Sequence, residues 1–211
     1  MDLMVSLGMI ILVNFLAWIT PGPNMFAVMA ASLEHGRRHG MATGLGLSCG
    51  AFLWATLAVL GVAILFDLFP KAVLALKLIG AAYLIWLGLR SLKSAMQDRD
   101  GLTPAPGTAR SALRSLLTGF TVSMTNPKAA LFFGSVMTTF IPAVAPGWFF
   151  VLVVVLCGGL AVIFHAMTAT LFSTRVAIGL FRRFKRAISV TFGAVFIALG
   201  GSIAVAALRR S

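Results

Sequence analysis

A lysine inside an apolar run is a group that can hold an anion. Lys128 stands in "TNPKAALFFG", directly after Thr125, Asn126 and Pro127. A second stretch, Thr20, Pro21, Gly22, Pro23 and Asn24, sets prolines and short polar residues into the apolar run 3–33. Proline has no N–H, and its ring clashes with the carbonyl four residues back. Both stretches therefore predict broken helices, with freed backbone groups beside Thr20, Asn24, Thr125, Asn126 and Lys128. Half-helix N-termini suit an anion such as a carboxylate. A lysine at membrane depth is a functional hypothesis by default, with a purely structural contact to carbonyls as the bland reading. His165 lies inside the run 147–172, where it reads as a satisfied structural histidine or as a proton relay. Lys77 is close enough to a span end to snorkel.

What is missing narrows the ligand. Asp2, Glu34, Asp67, Asp98 and Asp100 all fall at span ends or in connections. No carboxylate sits deep in an apolar run to hold a cationic side chain. A zwitterionic or anionic small molecule fits better than lysine, arginine or a metal ion, and no metal or cofactor is expected.

Two other chemistries are open to the residue types. Gly46, Ser48 and Gly50 match G-x-S-x-G, with His165 as a conceivable base. That motif works on a strained strand-to-helix turn, and here it lies in an apolar helix, so no enzyme is expected. Cys49 and Cys157 suggest a membrane thiol–disulfide carrier. Such carriers place their cysteines beside the proline breaks, whereas these lie 26 residues past Pro23 and 30 past Pro127. Buried cysteine as a small hydrophobe is the plainer reading. A passive small-metabolite channel is the remaining alternative.

These groups need a membrane scaffold. The chain has 211 residues, 60% hydrophobic and 10% charged, against about 25% charged in soluble domains. Its mean hydropathy is +1.01. A spanning helix needs about 20 predominantly apolar residues, and six such stretches are predicted: 3–33, 41–66, 72–90, 116–140, 147–172 and 187–208. The alternation of a membrane β-barrel is absent, so the fold predicted is all-α. The start carries no basic segment and its apolar run is too long for a cleavable signal peptide.

The net charge of +12 does not point to nucleic acid, because the basic residues cluster between spans. Arg37 and Arg38 follow span one; Arg90, Lys93, Arg99, Arg110 and Arg114 follow span three; Arg175, Arg182, Arg183, Lys185 and Arg186 follow span five. The positive-inside rule puts these connections in the cytoplasm and both termini outside. The Pro- and Gly-rich segment 97–108 reads as a linker, dividing the chain into 1–96, a linker at 97–112, and 113–211.

The two halves match in order. "LIGAAYLIWLG" (78–88) resembles "TFGAVFIALGG" (191–201), and "TPGPN" corresponds in place to "TNPK". A repeat of three spans must be inverted in the membrane. Proline-broken helices at matching positions then point to a transporter site at the midplane, near Thr20–Asn24 and Thr125–Lys128.

At "ITPGPN", "GAAYLIWLG" and "NPKAALFFGSV" the chain resembles the LysE-type amino-acid exporters, in their homoserine/threonine efflux branch. The resemblance covers nearly the whole chain in order. It implies an inner-membrane secondary transporter that expels small amino acids, driven by protons. Relatives commonly carry an aspartate after the second proline; Asn24 stands there in this chain, which removes a titrating group. The partners expected are a small amino-acid substrate and the lipid bilayer, with a homodimer left open and no nucleic acid.

Overall fold

Each proline break ends one helix and starts the next. A computed structural model describes residues 2–68, 70–96, 111–137, 139–142 and 145–208. The expected linker 97–112 falls, up to residue 110, outside the described residues, as do the side chains of Lys77 and Pro127. The described residues form helices α1 (Leu3–Ile19), α2 (Pro23–His35), α3 (Arg37–Leu68), α4 (Pro70–Ala95), α5 (Ala112–Thr125), α6 (Pro127–Leu131), α7 (Gly147–Leu171) and α8 (Arg175–Leu208). They contain no strand. A π-helical stretch, Phe132–Met137, continues α6; nothing in the sequence signalled it.

Among the described residues, three helical stretches are long and apolar enough to cross a membrane: Arg37–Gly61, Gly147–Leu171 and Arg186–Leu208. The pair α1–α2, bent by 52° at its break, makes a fourth. The expected spans 72–90 and 116–140 lie on α4 and on α5, α6 and the π stretch. Large apolar side chains such as Phe15, Leu57, Trp86, Val155 and Ile163 face outward, as they do where the surrounding solvent is hydrocarbon.

The basic connections are helical where the sequence reading had loops. Arg37 and Arg38 form the first turn of α3, Arg90 and Lys93 extend α4, and Arg175 to Arg186 lie on α8. At 1.5 Å per residue, the 34 residues of α8 run about 51 Å against a hydrocarbon core of about 30 Å. No proline interrupts 175–208, so the helix continues where apolarity ends.

Gly36 alone separates α2 from α3, with φ 84° and ψ 170°. That combination is essentially restricted to glycine, at about 1–3 kcal/mol for another residue. Gly36→Ala should lower stability by that amount in detergent unfolding, while Gly8→Ala, with open space around it, should not. Equal melts for the two variants would refute the assignment of strain to this turn.

Close packing of α3 on α5 supports the break regions. A Cβ at Gly46 would fall on the Leu116 carbonyl oxygen, and one at Gly119 on the Thr43 carbonyl oxygen. Helix α4 runs against α8 so that Gly88 meets Gly193 and Ser91 Oγ donates to the Ser189 carbonyl at 2.8 Å. Helix α3 meets α7 at Gly44 and His165. One apolar core joins Ile10, Val13 and Leu16 of α1 to Phe140, Phe149, Val153, Cys157 and Phe196. On the inner face of α1, Ser6 Oγ and Asn14 Oδ1 are buried with no hydrogen-bond partner among the described residues.

Candidate functional site

The freed carbonyls are the starting point. Without an N–H on Pro21, the Ala17 carbonyl loses its helical donor, and the end of α1 leaves the Thr20 carbonyl open as well. Lys128 Nζ donates to both, at 2.7 Å and 3.0 Å. The ammonium thus stands at the C-terminal, negative end of the α1 dipole. Pro127 frees the Ser123 carbonyl in the same way, and Trp54 Nε1 of α3 donates to it at 3.2 Å. Asn126 Oδ1 accepts from the Lys128 amide at 2.9 Å and caps α6. Asn126 Nδ2 donates to Asn24 Oδ1 at 2.7 Å, tying the two breaks together across 102 residues of sequence.

Lys128 has three N–H donors, of which two are used among the described residues. The bland reading, a structural contact to carbonyls, is therefore present, and one donor is left over. Two cavities flank it. The smaller, about 50 Å³, is lined by residues that include Trp18, Asn24, Met25, Phe132, Phe164 and His165. The larger, about 320 Å³, is lined by Pro21, Pro23, Phe26, Leu87, Arg90, Ser91 and Ser189. Thr20, Gly22, Asn126 and Lys128 line both, so these four residues form the partition between them. Neither lining contains a carboxylate.

At the partition the N-terminus of α2 opens onto the smaller cavity. Its Asn24 and Met25 amides have no intrahelical acceptor, since the first such bond is Phe26 N–H to the Gly22 carbonyl at 3.0 Å. Thr20 Oγ1 is turned to its own helix, donating to the Leu16 carbonyl at 2.7 Å. Thr125 is exposed, and its hydroxyl donates to the Thr121 carbonyl at 2.8 Å; it lines neither cavity. Pro127 opens α6. Of the residues expected at the site, Thr20, Pro21, Gly22, Pro23, Asn24, Asn126, Lys128 and His165 are brought together.

His165 is buried, and its Nδ1 lies 3.1 Å from Ser48 Oγ. Ser48 donates its single proton to the Gly44 carbonyl at 2.8 Å, so the bond to His165 runs from Nδ1–H to the hydroxyl oxygen. That direction is the reverse of what a serine nucleophile requires of its base. It leaves the Nε2 lone pair of His165 as the acceptor. Cys157 is buried and Cys49 exposed, both as free thiols, and neither lines either of these two cavities.

Sequence reasoning missed the aromatic wall. Trp18 stacks on Phe164 with centroids 6.0 Å apart, and Phe132 meets Phe133 edge-on at 5.2 Å. Tyr83 Oη, on α4, donates to the Lys128 carbonyl at 3.1 Å. Residues 15–207 match the family of LysE type translocators. The chain belongs to that family. The family is one of translocators. The threonine efflux protein of Escherichia coli K12 is 33% identical over 132 residues, 62% of this chain and 64% of the relative. The leucine efflux protein of Klebsiella pneumoniae is 37% identical over 141 residues, 65% of this chain and 66% of the relative. An uncharacterised membrane protein of Pseudomonas aeruginosa is 34% identical over 206 residues, 90% of each chain. The match thus spans under two-thirds of the length of the named efflux proteins. No solved structure matches this LysE translocator chain.

Proposed function

We propose that this translocator exports small neutral amino acids, threonine- or homoserine-like, across the cytoplasmic membrane, with protons as the driving ion. The observation that carries the reading is the Lys128 ammonium at the junction of two broken helices, with one donor unspent and no carboxylate in either flanking cavity. The substrate carboxylate takes that donor, assisted by the open amides of α2. The substrate's ammonium meets His165 Nε2 and the Trp18–Phe164 face, an arrangement suited to a cation over an aromatic ring. Phe132 and Phe133 receive the side chain. Asn24 and Asn126 act as the clasp between the breaks, and His165 is the group through which a proton passes.

The frame proposed is six spans in two inverted three-helix repeats. It is supported by the antiparallel meetings of α4 with α8 and α3 with α7, and by the clasp joining the two breaks. The basic helix ends face the cytoplasm and both termini the periplasm. Reporter fusions at Thr103 and Arg183 should read cytoplasm, and a fusion after Ser211 periplasm. A cytoplasmic reading after Ser211 removes the six-span frame.

The export reading is tested in cells loaded with dipeptides, following internal and external amino acids with and without the gene. Export of threonine, homoserine or similar neutral amino acids should exceed that of lysine or arginine. Preferential lysine efflux overturns the argument from missing carboxylates.

A further inference from the structure

We propose that the larger cavity contains a second carboxylate station, formed by Arg90 and Ser189, at which the substrate docks before it reaches Lys128. The inference rests on the export reading for the identity of the ligand, a small amino acid. Its site is a different one from the Lys128 ammonium.

The cavity of about 320 Å³ extends from the partition at Lys128 to Arg90, Ser91 and Ser189, within the about 300–1,000 Å³ usual for small-ligand sites. Arg90 lies over the Trp86 ring, with its guanidinium carbon 5.2 Å from the centroid. A guanidinium stacked on a ring keeps its in-plane N–H donors free, and five such donors in a fork match a carboxylate. No acidic residue lines the cavity to neutralise it. An exposed arginine alone would read as a topology signal. Ser189 supplies an independent observation: it is 1% exposed, lines the same cavity, and its hydroxyl has no partner among the described residues. Buried hydroxyls are rarely left unbonded. The neighbouring hydroxyl, Ser91, is committed to the Ser189 carbonyl, so it braces α4 against α8 and leaves Ser189 Oγ as the buried polar atom without a partner among the described residues.

The cavity therefore has a cation at each end, Arg90 at one and Lys128 at the partition. An anionic group drawn to the first reaches the second through the same cavity. A carboxylate of the transported amino acid fits this sequence of stations. A lipid phosphate at Arg90 shares the oxyanion chemistry, and the experiment separates the two.

Trp86 beneath Arg90 provides the readout. The full chain in phosphatidylcholine nanodiscs is titrated with propionate at constant ionic strength while tryptophan fluorescence is followed. A saturable change is expected in wild type and in Lys128→Met, and it should vanish in Trp86→Phe. Arg90→Gln should weaken the response about ten-fold or abolish it, Arg90→Lys should restore part, and Ser189→Ala should weaken it about three-fold. In everted vesicles, Arg90→Gln should raise half-saturation for threonine about ten-fold with the maximal rate within about two-fold. The station is refuted if wild type shows no propionate response, if Arg90→Gln titrates like wild type, or if only inorganic phosphate or anionic lipid gives the change. If wild-type vesicles move no amino acid, the export reading fails on its own, and the propionate titration still decides whether the station exists.

Discussion

On the proposed function, Lys128→Met should abolish amino-acid export while the protein still reaches the membrane. Methionine fills a similar volume, so the aliphatic stem keeps its packing beside Gly22, whose Cβ position lies 3.5 Å from Lys128 Cδ. The lost ammonium takes with it the donors to the Ala17 and Thr20 carbonyls and the donor left for a carboxylate. Truncating one partner of a hydrogen-bonded charge pair away from bulk water removes about 2–5 kcal/mol, about thirty-fold or more in binding. Initial efflux rate, normalised to membrane protein level, should fall by at least that factor. Lys128→Arg should recover only part, because a wide planar fork replaces a compact point charge that has to reach two carbonyls at once. A near-wild-type rate for Lys128→Met would make the lysine a purely structural cap on α1, and the proposed site would lose its anchor.

The second large effect is on folding, at Gly119→Val. The contact there is backbone against backbone: a Cβ on Gly119 meets the Thr43 carbonyl of α3, and Gly46 presents the reciprocal surface to Leu116. Overpacked sites typically lose about 1–3 kcal/mol when a side chain can rotate away. No side chain is available to yield here, so the loss lies at the top of that range or above it. Membrane-inserted, monodisperse protein should be nearly absent for Gly119→Val. Gly159→Val, with nothing within 4 Å of its Cβ position, should purify like wild type. Equal yields would mean that α3 and α5 can separate without consequence, which the close approach forbids.

The parts of this molecule that were legible in its sequence are those governed by local covalent chemistry. Pro21, Pro23 and Pro127 break helices wherever they stand, so the two break regions were readable, and with them Thr20, Asn24, Asn126 and Lys128. Hydropathy located the stretches that lie on α3, α7, α8 and the broken pair α1–α2, because crossing hydrocarbon takes a run of about 20 predominantly apolar residues. The Trp18–Phe164 and Phe132–Phe133 walls were not readable. In a membrane both the protein-facing and the lipid-facing sides of a helix are apolar, so no periodic contrast marks the inner one. Thr125 was expected at the site from its neighbours; its rotation on α5 turns it outward. Arg90 was read only as a topology charge, because a basic residue near a span end satisfies the positive-inside pattern whatever else it faces. Ser48 and His165 were considered together for the wrong chemistry, since sequence gives no direction to a hydrogen bond.

Ser6 and Asn14 have a bearing on turnover. They lie on the inner face of α1, in the half of the molecule filled by Phe140, Phe149 and Val153, with Ser6 Oγ and Asn14 Oδ1 unbonded. A buried polar atom without a partner raises the free energy of the packed state by about 1–3 kcal/mol. The seal is therefore weaker than an all-apolar one of the same shape. The alternating cycle that the export proposal implies would use that weakness, because a ligand can shift a two-state equilibrium only by its differential affinity, and a gap above about 5.5 kcal/mol is out of reach of a 10⁴-fold preference. In that proposed cycle the serine and asparagine keep the packed arrangement from becoming a trap, and they leave water two places to bind once α1 moves away.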